Sequence, residues 1–95
     1  MNTATITLPE TFKLEATEPV FRAFGEALEG TEALHLDGSH CTSMDYAAVQ
    51  LLIAFLHRLE GSQRVLTAEL SDTVLEALDD LSVRSLLEAA MASPR

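Results

Sequence analysis

Ala33-Leu34-His35-Leu36-Asp37-Gly38-Ser39-His40-Cys41-Thr42-Ser43-Met44-Asp45-Tyr46-Ala47-Ala48-Val49-Gln50-Leu51-Leu52 holds two periodicities joined by one loop. From Ala33 to Asp37 apolar and polar side chains alternate, the mark of a half-buried strand. Gly38 to Ser43 is small and polar and reads as a loop. From Asp45 to Leu59 apolar residues recur at three- and four-residue spacing, the mark of an amphipathic helix. A strand that runs through a short loop into a long helix opens a crossover, and crossovers join parallel strands.

The flanks extend the pattern. Downstream, Gly61 is the expected C-terminal cap of the helix, and Arg64–Leu70 reads as a strand. Ser71-Asp72 should cap a helix running to about Leu78, and Ser82 a last helix to about Ala90. Upstream, Thr3–Leu8 alternates and is rich in β-branched residues, with Pro9 ending it. A short strand is expected at Thr11–Leu14. Thr17-Glu18-Pro19 has the chemistry of a helix start, Val20, Phe21, Phe24 and Leu28 follow at helical spacing, and Gly30 supplies the stop. The chain is therefore expected to be one α/β domain over residues 1–95, a mixed sheet of about four strands packed by about four helices. Its core should contain Leu34, Leu36, Leu52, Phe55, Leu56, Val65 and Leu66.

Composition narrows the function. Of 95 residues 47% are hydrophobic, enough for a core and too many for disorder. Fifteen acidic residues face six basic ones, a formal charge of −9. The bases Lys13, Arg22, Arg58, Arg64, Arg84 and Arg95 are scattered, so no nucleic-acid partner is expected, and an anionic membrane surface is disfavoured as well. No apolar run reaches the roughly 20 residues that span a bilayer, and no membrane insertion is expected. Met1 to Thr5 lacks the basic flank and apolar stretch of a signal peptide. Cys41 is the single cysteine, which fits a reducing cytoplasm.

The helix after Asp45 has an unusual outer face. On a wheel, Ala48, Leu52, Phe55, Leu56 and Leu59 gather on the core side, with Val49 and Leu51 at its edges. The opposite side carries Tyr46, Gln50, Ala54 and His57, flanked by Ala47, Ile53 and Arg58. A solvated helix face ordinarily carries Lys and Glu. This face, in an acid-rich chain, carries one permanent charge beside a tyrosine and an isoleucine. It is either covered by another part of the chain or docks a second protein. Asp45, Tyr46, Ala47, Gln50, Ile53, Ala54 and His57 are the candidate partner-binding residues. Asp45 is equally well placed as a helix N-cap.

The stretch from Leu34 to Leu52 resembles the signature of STAS domains, the anti-sigma-factor-antagonist family. It has an apolar strand ending in an acid, a short loop, and then Met44, Asp45 and the small Ala48 leading an apolar helix. The order of elements around it is similar, so the resemblance covers nearly the whole chain. The continuation Ala47-Ala48-Val49-Gln50-Leu51-Leu52 is closest to STAS proteins of chemotaxis operons and of lipid-asymmetry transporters. The resemblance implies a bacterial, cytoplasmic, non-enzymatic interaction module, as a monomer or weak homodimer. The implied partner is an anti-sigma factor or Ser/Thr kinase, a chemotaxis kinase, or the ATPase of an ABC-type lipid transporter. Regulated members of the family are phosphorylated on a Ser or Thr directly after the motif acid. Here that position is Tyr46, a departure from the family's phospho-acceptor that leaves the fold and the docking role as the resemblance implies them. Thr42 and Ser43 are the nearest substitute acceptors.

No catalytic residue, cofactor or metal is expected. Ser39-His40-Cys41 places a nucleophile beside a base, but sequence neighbours rarely hold the needed geometry, and no orienting third group stands near. His35, Asp37, His40 and Cys41 match no usual zinc spacing. Four scattered glycines form no phosphate loop. Asp79-Asp80 reads as a helix–helix junction.

Overall fold

Three parallel strands form the centre of the computed structural model, which describes residues 3–30, 32–60, 62 and 64–91. They are β1 (Thr3–Thr7), β3 (Ala33–Gly38) and β5 (Val65–Leu70), in the order β1-β3-β5. The register sets Ala4 beside Leu34 and Leu66, and Ile6 beside Leu36 and Ala68. Two short strands, β2 (Thr11–Phe12) and β4 (Ser43–Met44), form a separate parallel pair. The helices are α1 (Leu14–Gly30), α2 (Tyr46–Leu59), α3 (Asp72–Asp80) and α4 (Arg84–Met91). The α/β class and the four helices match the sequence reading. The single mixed sheet does not: every pair among the described residues is parallel, and the strands divide between two sheets. The break between the two sheets falls at Pro9-Glu10, between β1 and β2.

Right-handed crossovers put α1 and α2 on the same face of the sheet. There α1 packs on α2, α2 on α4, and α4 on β5. Ile6, Leu34, Leu36 and Leu66 point into that layer and are buried with Val20, Phe24, Ala27, Ala48, Leu52, Phe55, Leu56 and Leu59. Phe24 and Phe55 join α1 to α2 by a parallel ring stack, centroids 3.8 Å apart and planes 8° from parallel. A Cβ on Gly38 would meet Leu8 Cδ1 at 3.0 Å and Leu70 Cδ2 at 3.1 Å, so any larger residue at the end of β3 would require those two leucine side chains to shift.

The opposite face of the sheet carries Thr3, Thr5, Thr7, His35, Asp37, Val65, Thr67 and Glu69, all exposed or half-buried. Parallel sheets are ordinarily covered on both faces. Here period-two alternation of polar residues permits one open face. It also corrects the expected core: six of its residues are buried, but Val65 is 41% exposed. Leu66 points inward, so its neighbour Val65 must point outward.

Three helix boundaries differ from expectation. α1 begins at Leu14, not after Thr17, and Pro19 lies inside it. The early start is supported from a distance, since the Leu14 N–H donates to Asp45 Oδ2 at 2.8 Å. Thr17 is no cap: its hydroxyl donates back to the Leu14 carbonyl at 2.7 Å. Ser82 does not cap α4 but closes α3. Its N–H donates to the Asp79 carbonyl (2.9 Å) and the Val83 N–H to the Leu78 carbonyl (2.9 Å), with Ser82 at φ 58°. That is a Schellman closure with serine in the left-handed position that favours glycine. α3 itself starts as expected, the Ser71 side chain accepting from Val74 N–H at 3.3 Å. Gly61, the expected cap of α2, lies outside the described residues; the cap observed is Glu60, whose N–H reaches the Leu56 carbonyl at 3.0 Å.

Candidate surface between the first two helices

Asp45 fixes the start of this surface. Its Oδ1 accepts from Ala48 N–H at 3.0 Å while Oδ2 accepts from Leu14 N–H at 2.8 Å. One carboxylate therefore caps α2 and ties the first turn of α1 to it. The bond from Ala48, ahead of that from Leu14, holds the carboxyl below its ordinary 3.8, against a partial desolvation that raises it. The structural role of Asp45 is thus on view. Its contribution to binding would act through the geometry of the two helix starts.

From that hinge the outer faces of α1 and α2 run side by side. On α2, Tyr46 is 71% exposed, and Gln50, Ala54, His57 and Arg58 are exposed as the wheel requires. Ala47 is half-buried. Ile53 is half-buried and packs against the core, which moves it from the centre of the face to its margin. His57 Nδ1 lies 3.9 Å from Glu60 Oε1 on the same exposed side.

The neighbouring helix adds what the wheel of α2 alone could not. Phe21 is 64% exposed and Leu14 63% exposed. Phe21, expected to share the buried face with Val20 and Phe24, instead stands beside a shallow apolar groove of about 110 Å³. Phe21, Phe24, Gly25 and Leu28 line it from α1, and Leu51, Ala54, Phe55 and Arg58 from α2. A Cβ on Gly25 would meet nothing within 4 Å, so that turn of α1 is open. The signal in the sequence was the adjacent pair Val20-Phe21, which a helix cannot bury fully on one stripe.

The two substitute acceptors differ in access. Thr42 is exposed, its N–H donating to the Glu10 carbonyl at 2.8 Å. Ser43 is half-buried in β4, paired with Thr11.

The chemical groups near the loop after β3 are engaged with one another. Ser39 Oγ donates to Asp37 Oδ1 at 2.7 Å, and this bond is the largest cause of the lowered Asp37 pKa. His40 Nδ1 lies 3.2 Å from the same hydroxyl. The carboxylate accepts the serine's hydrogen bond instead of orienting the imidazole, the wrong order for an activated nucleophile. Cys41 is fully buried, and desolvation pushes its thiol above 9.0, away from the reactive thiolate. On the open sheet face, His35 Nδ1 lies 2.7 Å from Thr67 Oγ1 and Nε2 3.1 Å from Glu69 Oε1. Among the described residues no three His, Cys, Asp or Glu side chains converge as a metal site. No described helix is long and apolar enough to cross a membrane. In comparisons with known proteins, no family model, curated protein or solved structure matches the chain.

Proposed function

We propose that this chain is a non-enzymatic interaction module of the STAS type. In this reading it docks a signalling kinase or anti-sigma factor through the outer faces of α1 and α2. The supporting observation is a pair of exposed aromatic residues, Tyr46 at 71% and Phe21 at 64%, on helices joined by an apolar groove. Phe21 lines that groove and Tyr46 stands exposed at the start of α2, and exposed aromatic residues on a surface with few charges are the usual centre of a protein interface. Asp45 serves this reading by holding the two helix starts at one spacing.

A second partner class rests on Tyr46 itself. A phenol at the position where the resemblance calls for a Ser or Thr acceptor favours constitutive binding, as of a STAS subunit to the ATPase of a lipid transporter. Both readings use the same surface, so one experiment serves them. A photo-crosslinking residue in place of Gln50 is introduced in cells, and the attached protein is identified by mass spectrometry. A kinase or anti-sigma factor supports the first class and a transporter ATPase the second. Adding Ala54→Glu must abolish the product. A product unchanged by Ala54→Glu, or none in cells that express the folded protein, refutes docking through this face.

A further inference from the structure

Among the described residues β1 is an edge strand of the sheet, and α1 packs against it. Leu8 N–H donates to the Asp37 carbonyl at 2.8 Å, continuing the β1–β3 ladder. Strand alternation then turns the N–H and C=O groups of Thr3, Thr5 and Thr7 away from β3. Among the described residues no strand pairs with that outer side. Edge strands are ordinarily blunted by Lys, Pro or a bulge. Thr3-Ala4-Thr5-Ile6-Thr7 has none of these residues and no charge.

The layers differ in width. Three helices, α1, α2 and α4, pack in sequence on one face. At 8–10 Å per helix contact, their outer axes stand about 18 Å apart. Three strands at 4.7–4.9 Å spacing span only about 10 Å. The helix layer therefore overhangs the sheet by about one strand width on a side. On the β1 side, between β1 and α1, lie two adjoining hollows of about 330 and 250 Å³. Both are bounded by Thr5, Ile6 and Ala23; α1 adds Ala16, Pro19 and Val20 to one and Glu26 and Ala27 to the other. The far edge differs, because α3 and α4 both pack against β5.

We infer that β1 accepts a single extended segment of another polypeptide beneath α1, as a fourth strand of the sheet. The outward backbone groups of Thr3, Thr5 and Thr7 would supply the ladder, and the hollows would take alternate small apolar side chains. The segment would be free of acidic residues, since Glu26 lies at one hollow and the chain carries −9. A second copy of this chain is the wrong occupant. Pairing β1 with β1 of a copy brings two overhanging α1 helices to about one strand spacing, roughly half of what helix packing requires. This site is separate from the α1–α2 groove and stands or falls independently of it.

The test uses the full isotopically labelled chain and a synthetic peptide of alternating valine and threonine with a lysine at each end. Amide NMR at up to about 1 mM peptide should show shifts confined to residues 3–7 and 16–27. The outward amides of Thr5 and Thr7 should gain protection from hydrogen exchange. Ala23→Leu, which fills the hollow from the α1 side, should weaken binding about tenfold while the remaining spectrum stays folded. A version of the peptide with proline at its central position should not bind. No shift at β1, shifts only at the α1–α2 groove, binding unaffected by Ala23→Leu, or self-association through β1 in sedimentation would each overturn the inference.

Discussion

Ala48→Glu and Ala54→Glu place the same side chain six residues apart on different faces of α2, and their effects on stability should differ sharply. Ala48 is 0% exposed and sits in the core beside Leu52. Glutamate there adds four heavy atoms to a filled site, an overpacking cost of about 1–3 kcal/mol. Its carboxyl must also lose water. A pKa raised by about three units corresponds to roughly 4 kcal/mol at neutral pH. A chain of 95 residues has about 5–14 kcal/mol of stability in total. Ala48→Glu therefore removes much or all of it. Ala54 is exposed and faces the groove, so Ala54→Glu costs only the few tenths of a kcal/mol between two good helix formers. Circular dichroism with heat and urea is the assay. Ala54→Glu should melt within about 3 °C of the parent, and Ala48→Glu should be largely unfolded at 25 °C. The sign of the pH effect is diagnostic. A buried glutamate has a raised folded pKa, so its penalty is present above the unfolded value of about 4.3 and fades as pH falls toward it. The gap between Ala48→Glu and the parent should narrow on acidification. A stable Ala48→Glu beside an unfolded Ala54→Glu would mean that α2 is rotated and the proposed docking face points inward.

Ser82→Gly relieves a left-handed serine costing about 1–2 kcal/mol, less the extra freedom glycine gives the unfolded chain, so Tm should rise by about 2–6 °C; a fall would refute the Schellman reading. Asp45→Ala should lower Tm more than Ser71→Ala does, because Asp45 caps one helix and ties down a second, whereas Ser71 serves one helix start at about 1 kcal/mol. The lowered folded pKa of Asp45 makes its contribution present above 3.8 and lost as pH falls through the folded value, so parent and Asp45→Ala should converge in acid; a gap that persists would remove the carboxylate from the cause. With ATP and a partner Ser/Thr kinase, mass spectrometry should find Tyr46 unmodified, any phosphate on exposed Thr42 in preference to half-buried Ser43, and a new site after Tyr46→Ser; native phospho-Tyr46 would contradict this.

The α/β class, β3 and α2 were legible because their periodicities were long and unbroken. The core face of α2 was legible for the same reason: Ala48, Leu52, Phe55, Leu56 and Leu59 are all buried. The start of α1 was hidden because its support comes from Asp45, 31 residues downstream, and local cap chemistry pointed to Thr17 instead. Ser82 was misread because a serine before a helix ordinarily marks an N-cap, whereas here φ 58° makes it a closure. Val65 and Leu66 are both apolar, and strand alternation lets only one of them face the core, which is Leu66. The candidate surface was half legible. α2 showed a charge-poor face, and the adjacent pair Val20-Phe21 showed that α1 could not bury both, but which of the two is exposed follows from how α1 packs on α2, where Phe24 and Phe55 stack. The open edge of β1 is likewise set by the relative widths of two layers, which no single segment encodes.

The docking claim is tested most directly by isothermal titration of the partner captured at Gln50 against the parent chain, Ala54→Glu and Phe21→Ser. Both substitutions lie on exposed positions of the groove, one on each helix. The proposed surface predicts that each variant, folded by circular dichroism, loses at least about tenfold in affinity, or 1.4 kcal/mol. Parent-like affinity in both folded variants would contradict it and move the interface elsewhere on the molecule.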